Sequence, residues 1–178
     1  MKKLLETPLP GVWQVENFSA SDERGLFVKT FHSDWLAAAG ISVSFRESYY
    51  SQSHKQVIRG MHFQAPPHDH EKLVYVTSGE ILDVILDLRT HEKTYGKFIT
   101  LPLKAYGSSV FIPKGCAHGF LTISESATVV YNVTTEYNPQ ADQGIRWDSF
   151  GFDWPVTAPV LSARDKGFTG FDQFQSPF

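Results

Sequence analysis

The residues best equipped for chemistry fall in two stretches, Arg59-Gly60-Met61-His62-Phe63-Gln64 and Ile112-Pro113-Lys114-Gly115-Cys116-Ala117-His118-Gly119-Phe120. Each places a histidine at the edge of an apolar, strand-like run, beside a glycine that lets another group come close to the backbone. Imidazole changes charge near neutral pH and also ligates metals, so two such positions on a pocket wall suit either proton transfer or metal binding. His68-Asp69-His70 adds a second pair of imidazoles. With His118 they could make a three-histidine site for Zn or Fe, although a polar loop after Pro66-Pro67 accounts for His68 and His70 equally simply. Judged locally, His62 could be a satisfied core histidine, Tyr131 strand filler and Asp165 a solvated turn residue.

These side chains must be held by strands, because the dominant apolar period is two. From Glu80 to Leu88 one face carries Leu82, Val84, Leu86 and Leu88 and the other Ile81, Asp83, Ile85 and Asp87, as in a strand with two different sides. An Asp83 buried with Ile81 and Ile85 needs a partner, since an unpaired buried charge is costly. Similar runs at 73–77, 98–101, 109–112 and 128–133 are separated by Ser78-Gly79, Tyr106-Gly107, Pro113-Lys114-Gly115 and Asn138-Pro139. Many short strands at near-regular spacing predict an all-β sandwich or barrel. One short helix is expected over about 34–39, capped by Ser33 or Asp34 and ended by Gly40. After Trp154 the chain reads as an irregular tail tied down by Phe168, Phe171, Phe174 and Phe178.

At 178 residues, the length suits a single domain, 1–178, with one substantial core. The net charge of −3 and the lack of Lys/Arg runs give no electrostatic footprint for nucleic acid or an acidic membrane. One cysteine, Cys116, excludes an internal disulfide framework and fits a reducing cytoplasm. Met1-Lys2-Lys3-Leu4-Leu5-Glu6-Thr7-Pro8 has basic residues but loses its apolar character too soon for a signal peptide. No apolar run nears the roughly 18 residues that a membrane span needs.

The spacing of Gly107, Pro113, Gly115 and His118 resembles a cupin signature, which implies a double-stranded β-helix (jelly-roll barrel) with the histidine pointing into its lumen. The metal-binding motif of that fold is incomplete here: Val74 and Tyr75 stand where a carboxylate ligand is expected after His68 and His70. The expectation is therefore a site with no metal and no cofactor.

Over about 11–166 the chain is similar to the dTDP-4-dehydrorhamnose 3,5-epimerase family. The similarity is carried by Asp22-Glu23-Arg24-Gly25-Leu26-Phe27, Val57 through Gln64, Lys72-Leu73-Val74, Gly79-Glu80 through Arg89, and Pro113 through Phe120. It continues in Tyr131-Asn132-Val133-Thr134, Gly144-Ile145-Arg146-Trp147-Asp148, Asp153-Trp154-Pro155 and Leu161-Ser162-Ala163-Arg164-Asp165. The resemblance implies a cofactor-independent isomerase acting on a nucleotide-linked 4-keto-6-deoxy sugar, with His62 as base, Asp165 orienting it and Tyr131 returning a proton from the other face. Lys72 would stabilise the enolate and Asp83 would hold Lys72. Arg24, Arg59 and His118 match phosphate-contacting positions, while Phe27 and Tyr137 match aromatic positions near the nucleotide. A homodimer is also implied, with Arg24 and Phe27 serving the neighbouring subunit's pocket.

Departures from the family pattern gather around the recognition residues. Glu47 and Tyr49 replace the usual glutamine and asparagine, Tyr75 a frequent arginine, and Asn132 a frequent lysine. They leave open a CDP-linked or differently deoxygenated sugar and inversion at C3, C5 or both. A metallo-cupin enzyme and a non-catalytic sugar-nucleotide binder are the readings from other classes.

Overall fold

The computed structural model describes residues 4–178, so the reading of Met1-Lys2-Lys3 lies outside the described residues. In chain order the strands are β1 (Leu4–Glu6), β2 (Trp13–Val15), β3 (Phe18–Asp22), β4 (Gly25–Lys29), β5 (Glu47–His54), β6 (Ile58–Gln64) and β7 (Lys72–Ser78). They continue with β8 (Glu80–Asp87), β9 (Phe98–Lys104), β10 (Ser109–Ile112), β11 (Cys116–Thr122), β12 (Ser126–Val133) and β13 (Asp142–Gly144). Two short helices, α1 (Ser33–Ala37) and α2 (Ala163–Lys166), complete the set with a 3-10 turn at Phe171–Gln173.

The strands build two facing sheets, one ordered β1-β2-β10-β7-β12-β5 and the other β13-β6-β11-β8-β9. This is the expected all-β, cupin-like architecture. The alternation in β8 acts as expected: Ile81 and Ile85 join Val74, Val129 and Phe120 in a core that includes residues of both sheets. Val84, Leu86 and Leu88 belong to a separate cluster with Met61 and Phe63, against which Phe171, Phe174 and Phe178 of the tail pack. A third cluster, around Leu73 and Phe111, packs with Leu36 of α1 and with Trp35, Ile41 and Phe45.

The helix differs from expectation at its start. It begins at Ser33, and the cap is His32, whose extended backbone (φ −153°) lets Nδ1 accept from the Asp34 N–H at 3.3 Å. The tail also holds a helical turn, α2, where an irregular run was expected. Strand β5 gave no period-two signal because its segment, Glu-Ser-Tyr-Tyr-Ser-Gln-Ser-His, lies at a sheet edge and buries only Ser53. Strands β3 and β4 form a separate two-stranded hairpin whose Phe18, Leu26 and Phe27 are exposed.

Candidate active site

His62 projects from β6 and is fixed by the tail: its Nε2 lies 2.8 Å from Asp165 Oδ1. Two isolated bridges, Val57 to Val160 and Ile145 to Thr169, lace the tail to the barrel on either side of α2. Within it, the Ser162 hydroxyl accepts from the Asp165 N–H at 3.0 Å, capping the turn. Asp165 Oδ2 accepts the Gly60 N–H at 3.1 Å, a bond that β6 can offer because of Gly60's backbone. Gly60 has φ +144°, and a Cβ there would sit 2.6 Å from Gly119 Cα on the neighbouring strand. Gly60, two residues before His62, thus admits the close approach of β11.

A carboxylate only accepts, so the imidazole nitrogen facing Asp165 carries the proton and Nδ1 keeps its lone pair. Burial pushes the His62 pKa below the ordinary 6.5, and Lys72 and Arg164 push the same way, against the hydrogen bond and charge of Asp165. Burial raises Asp165, but His62, the Gly60 N–H and Ser162 outweigh it, so the carboxyl falls below its usual range. The pair rests as neutral imidazole on carboxylate, the form a base needs.

The six-stranded sheet supplies the facing wall. Lys72 on β7 is buried, and its Nζ donates to the His62 carbonyl at 3.2 Å. Burial lowers its pKa to about 8, opposed by Asp142 and Asp83. Tyr131 on β12 is buried, with its hydroxyl 3.4 Å from Ser51 Oγ. Burial raises its pKa, so the phenol keeps its proton. Base and phenol therefore stand on opposite sheets, around a space of about 260 Å³ that Arg59 and His118 also line. A second space of about 300 Å³ continues past His62 and Lys72 toward Glu47, Tyr137, Asp142 and Arg164.

Asp83 acts on Lys72 through its charge and makes no hydrogen bond to it. Asp83 Oδ1 lies 2.7 Å from His118 Nε2 on the neighbouring strand β11, while Lys72 Nζ is turned to the His62 carbonyl. Asp83 thus orients His118. Arg59 is held at the edge by Ser53 Oγ at 2.9 Å and the Gln52 carbonyl at 3.3 Å. Glu47 accepts the Tyr137 N–H at 2.7 Å, which ties the two residues together.

Arg24 and Phe27 are not brought to this cavity. They lie on the β3–β4 hairpin, where Arg24 pairs with Asp22 at 2.6 Å and Phe27 is 57% exposed. The three imidazoles considered for a metal take separate partners: His68 Nε2 lies 3.1 Å from Asn138 Nδ2, His70 Nδ1 lies 3.2 Å from Gln64 Nε2, and His118 meets Asp83. Among the described residues no group of three or more His, Cys, Asp or Glu could hold a metal ion.

Sequence reasoning missed Asp142 and Arg164, which pair at 2.6 Å beside the cavity. The guanidinium carbon of Arg164 lies 5.2 Å from the Phe168 ring centroid, and that ring meets His62 edge-on at 5.7 Å. Arg164 could have been flagged by its place next to Asp165, but nothing in the sequence marked Asp142.

With this geometry in place, comparison with known proteins decides the family. The family model for dTDP-4-dehydrorhamnose 3,5-epimerase matches residues 6–173. The chain belongs to the dTDP-4-dehydrorhamnose 3,5-epimerase family. A family member from Methanothermobacter thermautotrophicus is 38% identical over 172 residues, covering 93% of this chain and 92% of that protein. The solved structure of the Legionella pneumophila epimerase, in complex with dTDP-4-keto-L-rhamnose, superposes with a TM-score of 0.92 at 30% identity, covering 98% and 95% of the two chains. A 3'-monoepimerase from Streptomyces bikiniensis in complex with dTDP-quinovose gives 0.86 at 27% identity, covering 93% and 87%. The relatives at 34–38% identity carry the name of the double epimerase, so the CDP-linked and single-centre alternatives are not favoured. Among the described residues no helix is long and apolar enough to cross a membrane.

Proposed function

We propose that the chain inverts C3 and C5 of a dTDP-linked 4-keto-6-deoxyhexose by proton transfer, with no cofactor. One observation carries this reading: His62, backed by Asp165 of the tail, and the Tyr131 phenol stand on facing sheets and line one cavity. Inversion requires a proton to leave one face of a sugar ring and another to arrive at the opposite face. A hydrogen on a carbon beside the ketone is acidic because the electron pair left behind delocalises onto the C4 oxygen as an enolate. His62 Nδ1 takes that hydrogen, and Asp165 stabilises the imidazolium. Lys72, cationic below its pKa of about 8, meets the enolate oxygen in a poorly solvated site where such a charge counts most. The enolate carbon then takes the phenolic proton of Tyr131, which restores the ketone, and the two groups re-equilibrate with solvent.

Arg59 suits the diphosphate, His118 joins it when both ring nitrogens are protonated and Nδ1 can donate, and Tyr137 suits the base. The exposed hairpin presents Arg24 and Phe27 outward, which supports a homodimer in which they complete the partner's site. The buried Cys116 accords with a reducing cytoplasm. A non-catalytic binder leaves the pairing of base, cation and acid without purpose.

Incubation with dTDP-4-keto-6-deoxyglucose in heavy water, followed by NMR, should show deuterium entering C3 and C5. The His62→Asn variant should lose exchange by at least about 10²-fold, the lower range for removal of a general base. Normal exchange in that variant would overturn the assignment.

A further inference from the structure

The ring of Tyr49 has no role in the chemistry above, yet it covers one face of the proposed acid. Tyr49 and Tyr131 are direct cross-strand partners in β5 and β12, and their rings stack with centroids 4.8 Å apart and planes at 19°. The remaining neighbours of Tyr131 leave it little freedom: His118 meets it edge-on at 6.0 Å, and Ser51 sits at its hydroxyl. Turning the Tyr131 ring about its side-chain bonds would break the stack. Tyr49, His62 and Lys72 also line both spaces of the cavity, so this ring forms part of the wall where the two meet.

We propose that Tyr49 is a positioning residue that sets the balance between inversion at C3 and at C5 by holding the Tyr131 phenol in one orientation. This inference rests on the proposed epimerase reaction. The two acidic carbons flank the ketone on opposite sides, and one phenol must serve both. With the phenol fixed, the sugar ring has to move to offer each carbon in turn, and the carbon that lies nearer the phenol is reprotonated faster. With the phenol free, its own motion can follow the substrate and the preference weakens. Stacking is the operative property, and the Tyr49 hydroxyl is dispensable for it.

The test compares deuterium incorporation at C3 and at C5 for the wild-type chain, Tyr49→Phe and Tyr49→Leu, with dTDP-4-keto-6-deoxyglucose in heavy water and with thermal melts confirming folding. Phe keeps the stack and should keep the wild-type C3:C5 ratio. Leu removes it and should move the ratio by about three- to tenfold, the range that corresponds to the loss of one aromatic pair. A ratio unchanged in the Leu variant overturns the inference. An equal shift in both variants also overturns it, because the hydroxyl would then be what matters. Loss of exchange at both carbons in a folded Leu variant, with the Phe variant normal, counts against a role confined to balance. A wild-type chain silent at both carbons sinks the epimerase reading and this inference with it, a result distinct from an unchanged ratio.

Discussion

At the scale of single residues, the site depends on two bases whose pKa values are both depressed by burial. For His62 the consequence is availability, since the imidazole stays neutral to a pH below the ordinary 6.5. For Lys72 it is a limit, because the ammonium is lost as pH rises through about 8. The rate of exchange should therefore climb as His62 deprotonates, hold through neutrality and fall on the alkaline side near Lys72's pKa. Tyr131, raised by burial, stays protonated beyond that limb. Lys72→Arg keeps a cation at every pH in this range, so the alkaline fall should disappear even though the altered geometry lowers the rate. A pH profile of kcat/KM for both proteins checks this: an alkaline limb persisting near 8 in the Arg variant would assign it to another group.

At the scale of elements, positioning comes from β6, β11 and the tail meeting at one point. Gly60 and Gly119 let the two strands approach, and the Gly60 N–H and the Ser162 cap then fix the carboxylate that orients the base. A methyl group at residue 60 would meet the backbone of Gly119, which cannot yield as a flexible side chain could. Gly60→Ala should therefore cost about 2–4 kcal/mol, combining an unfavourable φ with backbone displacement. Gly151, at φ +83° with nothing within 4 Å of an added Cβ, shows a positive φ without crowding. Gly151→Ala should cost only about 1–2 kcal/mol. Urea unfolding of the two variants measures the difference, and equal losses would show that the close approach at Gly60 is unimportant. The strands themselves were legible because β8 alternates between two apolar environments. The edge strand β5 was not, since its pairing partners lie only on β12 and its outer positions are free to be polar.

At the scale of the whole molecule, the β3–β4 hairpin remains the unexplained projection. Phe18 is 44% and Phe27 57% exposed, and the Arg24 charge is paired only within the hairpin among the contacts described. A homodimer that inserts this hairpin toward the neighbouring cavity accounts for both features, and it makes Arg24 act in trans. Neither Arg24→Ala nor His62→Asn should then be fully active alone. A mixture refolded together should regain activity, because a heterodimer holds one site with both residues intact. With random pairing about a quarter of all sites recover. Exchange in the mixture no greater than the sum of the separate variants, or a monomer by light scattering, would refute the shared site.

The residues themselves determined the class of architecture and most of the chemistry: period-two apolar patterning calls for sheets, and histidine, tyrosine, lysine and aspartate in these motifs match an epimerase family. Only the folded chain decided which of them face one another. Asp83 went to His118 because the two lie on adjacent strands of one sheet, while Lys72 Nζ reaches the His62 carbonyl instead, a partition that sequence separation does not carry. Asp165, an ordinary polar tail residue by local pattern, reached His62 because the tail is laced back across the barrel. Asp142, Arg164 and the Tyr49–Tyr131 stack arise from pairings between segments distant in the chain. Such contacts are set by strand order and register, which local composition does not encode.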